Sequence, residues 1–156
     1  MKNNAYFDRF LQYIMANLVA AIAYFLFAAL ISFGGTLPSE PISRILSALV
    51  TAIPFALFVF ASTLRDKSLP RGDVRAYLTG VGTGDLITYA VWALCGAMVA
   101  IAGEAAGITV YIFLAQAIPT ASLIAAIGTP LGLPTAVLLN VALYTGARLL
   151  GVKGRK

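Results

Sequence analysis

Uncharged apolar runs of about 20 residues, separated by short charged stretches, govern what this chain can fold into. A helix needs about 20 apolar residues to cross the hydrocarbon core of a bilayer. The runs fall at about 11–33, 45–64, 86–103, 108–128 and 135–147. Composition agrees: of 156 residues, 60% are hydrophobic and 11% charged, whereas a soluble domain carries about 25% charged residues. So few charges cannot cover a water-facing surface, and disorder would need low hydrophobicity with high charge. The sequence therefore predicts an all-α, polytopic helical membrane protein, a single integral membrane domain over 1–156. The first run is longer than the core of a cleavable signal peptide and reads as a retained helix.

Basic residues set the expected orientation, because cytoplasmic loops carry an excess of lysine and arginine. With the N-terminus inside and an even number of crossings, Lys2, Arg9, Arg65, Lys67, Arg71, Arg75, Arg148, Lys153, Arg155 and Lys156 are cytoplasmic and Arg44 lies outside. Five crossings would divide the same residues almost evenly. The expectation is thus four crossings plus one short or re-entrant segment, five apolar helical segments in all, with both termini cytoplasmic in a cell membrane of bacterial inner-membrane type. The last run, 13 residues before Arg148, makes about 20 Å of helix and is the short candidate. Alternatively, the fourth region, broken by Pro119, forms a re-entrant hairpin, which requires burial in protein or a wet cavity.

A faint internal repeat runs through the chain. NLVAAIAYFLFAALISFGG, from Asn17, aligns with DLITYAVWALCGAMVAIAG, from Asp85, pairing Tyr24 with Trp92 and Gly35 with Gly103. The tripeptide AIP recurs at 52–54 and 117–119. Membrane transporters often carry such weak internal symmetry.

Several chemistries are excluded. The chain has no histidine and one cysteine, Cys95, so it forms no Ser-His pair, zinc site or iron–sulfur centre. Neither a P-loop nor a TVGYG filter is present, and no cofactor is expected. The net charge of +5 and pI near 9.6 come from clusters between apolar runs, which suit anionic lipid headgroups. No basic stripe is interleaved with aromatics as in a single-strand binder, so membrane lipids and not nucleic acid are the expected partners.

Three constellations remain. Gln116, Pro119, Thr120 and Asn140 are a candidate solute path, where a proline breaks an apolar run and amides cluster. The plainer role of such groups, shared by Asn17, Ser122 and Thr145, is interhelical hydrogen bonding. Arg65, Lys67, Arg71 and Arg75, in the most polar stretch, are a candidate docking loop, with a short interfacial helix expected near 74–78. Third, GTGD at 82–85 resembles the GxGD motif of membrane aspartyl proteases, including the prepilin peptidases. That resemblance implies a catalytic carboxylate pair, Asp85 with Asp66, sharing a proton. The plainer reading is a flexible turn in which Asp85 caps the next helix.

RFLQYIMANLVAAIAYFLFAAL, YLTGVGTGDLITYAVWAL and the closing LLNVALYTGARLLGVKGRK are loosely similar to the halves and last span of GtrA-type proteins, four-span proteins implicated in moving polyprenyl-linked sugars. The asparagine–aromatic–basic ending expected after their second span is missing, residues 104–130 are surplus, and the chain is not assigned to that family. No ionisable residue lies mid-run, which argues against proton-coupled transport or a pump. The expected function is a small non-enzymatic transport or flipping protein, or a transporter's membrane subunit, for a neutral or amphipathic solute. The alternatives are a scaffold docking through the basic loop and an aspartyl protease. Abundant small residues, such as Gly103, Gly107, Gly128 and Gly132, favour close helix approach and a homo-oligomer or larger complex.

Overall fold

Residues 5–34, 40–102 and 133–155 are described by the structure, a computed structural model. Among them the fold is all-helical, with four long helices and no strand. These are α1 (Ala5–Gly34), α2 (Glu40–Arg65), α4 (Thr83–Ala102) and α5 (Leu133–Gly154); a short α3 (Val74–Tyr77) is joined to α4 through a kinked turn at Leu78–Gly82. Two helices, over Phe7–Phe33 and Ile45–Arg65, are long and apolar enough to cross a membrane. The fourth apolar region, with Gln116, Pro119, Thr120 and Ser122, lies outside the described residues, as do Gly103, Gly107, Gly128 and Gly132.

Spacing explains how the helices assemble. Arg9, Tyr13, Ala16, Asn17 and Ala20 are buried on α1, Thr51, Phe55, Val59 and Thr63 on α2, and Asn140, Tyr144, Ala147, Arg148 and Val152 on α5. Steps of three and four residues bring each set to one helix face. α1 packs on α2 and α4, and α5 packs on the same two, closing a four-helix ring. Its centre is aromatic. Tyr13 stacks on Tyr89 with ring centroids 4.8 Å apart, and Tyr144 meets them edge-on at 4.9 and 4.8 Å. Such pairs contribute about 0.5–1.5 kcal/mol each beyond their burial.

The remaining apolar surface points outward. Leu26, Leu30 and Phe33 on α1, Leu49, Ile53 and Leu57 on α2, and Met98 on α4 are exposed, while Arg9, Asn17, Asp85, Asn140 and Arg148 are buried. Charge inside and large apolar side chains outside reverse the pattern of a water-soluble fold. Pro54 sits within α2 without ending it, as a membrane helix permits.

The structure corrects the length expected for the last segment. α5 has 22 residues and does not stop at Arg148, so it extends about 33 Å. The shorter reading assumed that a charge ends an apolar span. Arg148 instead turns inward, fully buried, and the helix continues past it.

The expected short helix near 74–78 is α3, with Asp73 as its N-cap accepting a hydrogen bond from the Ala76 amide at 2.9 Å. The repeat offset also aligns helix ends: Ala5 falls opposite Asp73, the α3 cap, and Gly34 opposite Ala102, the end of α4.

Candidate functional site: a buried ion network at one end of the bundle

The N-terminal part of α1, the end of α2, the start of α4 and the C-terminal part of α5 meet at one end of the ring. Their polar side chains form one cluster. Arg9 Nε donates to Asp85 Oδ1 at 2.8 Å, with both side chains buried. Arg9 Nη1 also donates to Ser68 Oγ at 3.2 Å. Arg148 Nη2 donates to Asp66 Oδ2 at 3.3 Å and lies 3.8 Å from Asp85 Oδ2. Its Nη1 donates to the Tyr144 hydroxyl at 2.9 Å and to Gln12 Oε1 at 3.3 Å. Two cations therefore face two carboxylates.

Local structure positions each group. Asp66 follows the last residue of α2 and accepts from the Ser68 amide and hydroxyl, at 2.9 and 2.6 Å, fixing the loop. Arg155 donates to the Asp66 and Leu69 carbonyls and pins that loop to the tail of α5. Asp85 lies in the first turn of α4, which follows a kink at Gly80, whose φ −109° and ψ −105° leave the helical region.

The network is balanced in charge, and two of its buried atoms are short of a hydrogen bond. Among the described residues, Asp85 Oδ2 accepts no hydrogen bond and Arg148 Nε donates none. Asp85 stands in the first turn of α4, just ahead of the apolar run. Burial pushes its carboxyl above the usual value, against the Arg9 hydrogen bond and the Arg148 and Arg9 charges that favour the ionised form. Burial likewise pushes the nearby Tyr77 phenol up to about 12. A polar cavity of about 310 Å³, lined by Gln12, Phe58, Ala61, Ser62, Arg65 and Asp66, lies between α1 and α2. Two of those residues, Gln12 and Asp66, are hydrogen-bond partners of Arg148.

The sequence-derived candidates separate in space. Asp66 and Asp85 are brought to the same guanidinium, with Arg148 Nη2 at 3.3 and 3.8 Å from their carboxylates. The chain kinks at Gly80, just ahead of GTGD, and Asp85 lies in the first turn of α4, where its carboxylate engages Arg9. Arg65, Lys67, Arg71 and Arg75 are all exposed.

Asn140 is buried and donates to Asn17 Oδ1 at 2.6 Å, while Asn17 donates to the Tyr13 carbonyl at 2.8 Å. Thr145 hydrogen-bonds the Val141 carbonyl of its own helix. The asparagine pair thus joins α1 to α5. Replacing Asn140 with alanine is expected to lower stability by about 0.6 to 2 kcal/mol, the range for interhelical hydrogen bonds in membranes. Thermal unfolding in detergent checks this, and an unchanged midpoint would remove the role.

Arg9, Gln12, Tyr144 and Arg148 were not among the sequence-derived site residues. Their signal was present in spacing: Asn140, Tyr144, Arg148 and Val152 recur every four residues on α5, so a charge lies on a face shared with an amide and an aromatic.

No protein-family model matches the chain, and no curated protein or solved structure matches it. The loose similarity to GtrA-type proteins therefore has no family match behind it.

Proposed function

We propose that this chain is a small, non-enzymatic, multi-span membrane protein that moves or flips a neutral or amphipathic solute, alone or as the membrane subunit of a transporter. It makes four crossings, with a further short or re-entrant apolar segment and both termini in the cytoplasm. The observation that carries the reading is the buried ion network, which ties four helices at one end of the bundle. Ionisable groups buried at a membrane boundary are costly and usually functional, and a balanced ion cluster can close a path and reopen by separating its partners. The polar cavity beside Gln12 and Asp66 gives water or a polar headgroup access to that latch. The orientation is supported by the same end of the bundle carrying exposed Arg65, Lys67, Arg71, Arg75 and Lys153, the pattern of a cytoplasmic face.

Reconstitution into vesicles tests the transport reading. Fluorescent phospholipid in the inner leaflet is expected to become accessible to an external quencher faster than in protein-free vesicles. Asp66→Asn, which loosens the latch while leaving Asp85 on Arg9, is expected to change that rate several-fold. Equal rates with and without folded protein would overturn autonomous flipping. Purification from native membranes in mild detergent then tests the subunit form, which requires a stoichiometric partner.

A second reading has its own observation. The exposed cations on the 65–75 loop suit docking of an acidic cytoplasmic partner. Charge reversal there would release such a partner without affecting the buried network.

A further inference from the structure

A groove of about 850 Å³ runs along α5 where it faces α2 and the 72–74 loop. Ala56, Ala142, Gly146, Leu150 and Val74 contribute apolar walls, and Lys153 supplies the one charged side chain of the described lining. At Gly146 the floor is bare backbone, and a Cβ added there would meet no described atom within 4 Å. From Ala142 to Lys153 the helix rises about 17 Å, close to one leaflet of a hydrocarbon core about 30 Å thick. The apolar trough therefore has the length of an acyl chain in one leaflet, and a cation stands where the headgroup would be. Lys153 is exposed, as are Arg71 and Arg75 in the adjoining segment. The nearby carboxylate of Asp73 is engaged in capping α3.

We propose that this groove binds an anionic membrane phospholipid, one acyl chain lying over Gly146 and the phosphate held by Lys153. Charge complementarity selects the headgroup, because a zwitterionic lipid carries its own cation to the site. The bare floor selects the chain, because no side chain at 146 competes for the space. The proposal rests on α5 spanning a leaflet and not on the transport reading.

Lipid retention by the purified full-length protein, measured by native mass spectrometry in mixed phosphatidylglycerol and phosphatidylcholine micelles, tests it. The wild type is expected to retain phosphatidylglycerol about tenfold over phosphatidylcholine, a difference of about 1.4 kcal/mol. Lys153→Glu is expected to abolish that preference. Gly146→Leu, which fills the trough, is expected to reduce retention of both lipids while the melting temperature stays near wild type. Undiminished retention by folded Gly146→Leu would overturn the site. So would a preference that survives Lys153→Glu and disappears on reversing Arg65 and Lys67, since the lipid would then sit on the loop.

As an independent check, Gly146→Cys in a Cys95→Ser background, which removes the exposed native thiol, should be labelled in vesicles by a membrane-permeant maleimide and protected by added phosphatidylglycerol. A cysteine that stays unreactive in lipid-free detergent would mean that another part of the chain, or a second copy, fills the groove, and the proposal would fall. Loss of flipping with intact lipid selectivity would remove the transport reading alone. Intact flipping without selectivity would remove this site alone.

Discussion

Replacing Arg148 with methionine is expected to cost about 3 to 5 kcal/mol, the usual loss when one partner of a buried ion pair is removed. The side chain is fully buried and faces Asp66, Asp85, Gln12 and Tyr144 at once. Its removal also has a pH signature. Asp85, already pushed up by burial, loses a cation that favours its ionised form, and its folded-state pKa rises further. The folded state then binds a proton more readily than the unfolded chain. Stability therefore grows as pH falls through the raised pKa, over a window that begins above the ordinary carboxylate value of about 3.9. The melting temperature of Arg148→Met should accordingly increase on mild acidification, measured by size-exclusion survival after heating. A variant as stable as the parent, or one that only loses stability with acid, would mean that Arg148 does not hold the two carboxylates.

The second large effect is steric. A Cβ at Gly151 would lie 2.7 Å from Thr63 Cβ and 3.3 Å from the Phe60 carbonyl oxygen, so α5 and α2 are in backbone-level contact there. Thr63 is held by its hydroxyl on the Val59 carbonyl at 2.7 Å. Gly151→Leu must push the helices apart and is expected to cost about 1 to 3 kcal/mol, the range for overpacking. Because the contact is one turn from Arg148, the Asp66–Arg148 pair should open with it. Thr63→Gly in the same chain should restore part of the loss, since contacting residues couple non-additively. Additive losses in the double variant would show that the two positions do not touch.

Much of the helical plan was legible because apolar length and three-to-four spacing are local properties of the sequence. The run at 45–64 lies within α2, which begins earlier, at Glu40, and the short helix expected near 74–78 is α3, whose Asp73 cap went unread. The ion network was less legible for a physical reason. Arg9, Asp66, Asp85 and Arg148 lie far apart in sequence, and each alone looks like an interfacial charge at the end of an apolar run. Pairing Asp66 with Asp85 anticipated their proximity, but the guanidinium between them depends on helix packing. The turn expected around GTGD is narrower than the glycines suggest: the backbone leaves the helical region at Gly80, and α4 already begins at Thr83. Gln116, Pro119 and Thr120 lie outside the described residues, and Asn140 is the member of that set with a described partner.

The kink at Gly80 bears on how the two halves of the repeat are compared. There the backbone, at φ −109° and ψ −105°, leaves the helical region and joins two helices. The offset of 68 still carries Ala5 onto Asp73 and Gly34 onto Ala102 with no gap. The second half therefore spends the same number of residues on a bent path where α1 is one continuous helix. Two segments of equal length and matching pattern can thus differ in direction, and the difference is carried by a single exposed glycine with open space where its Cβ would be.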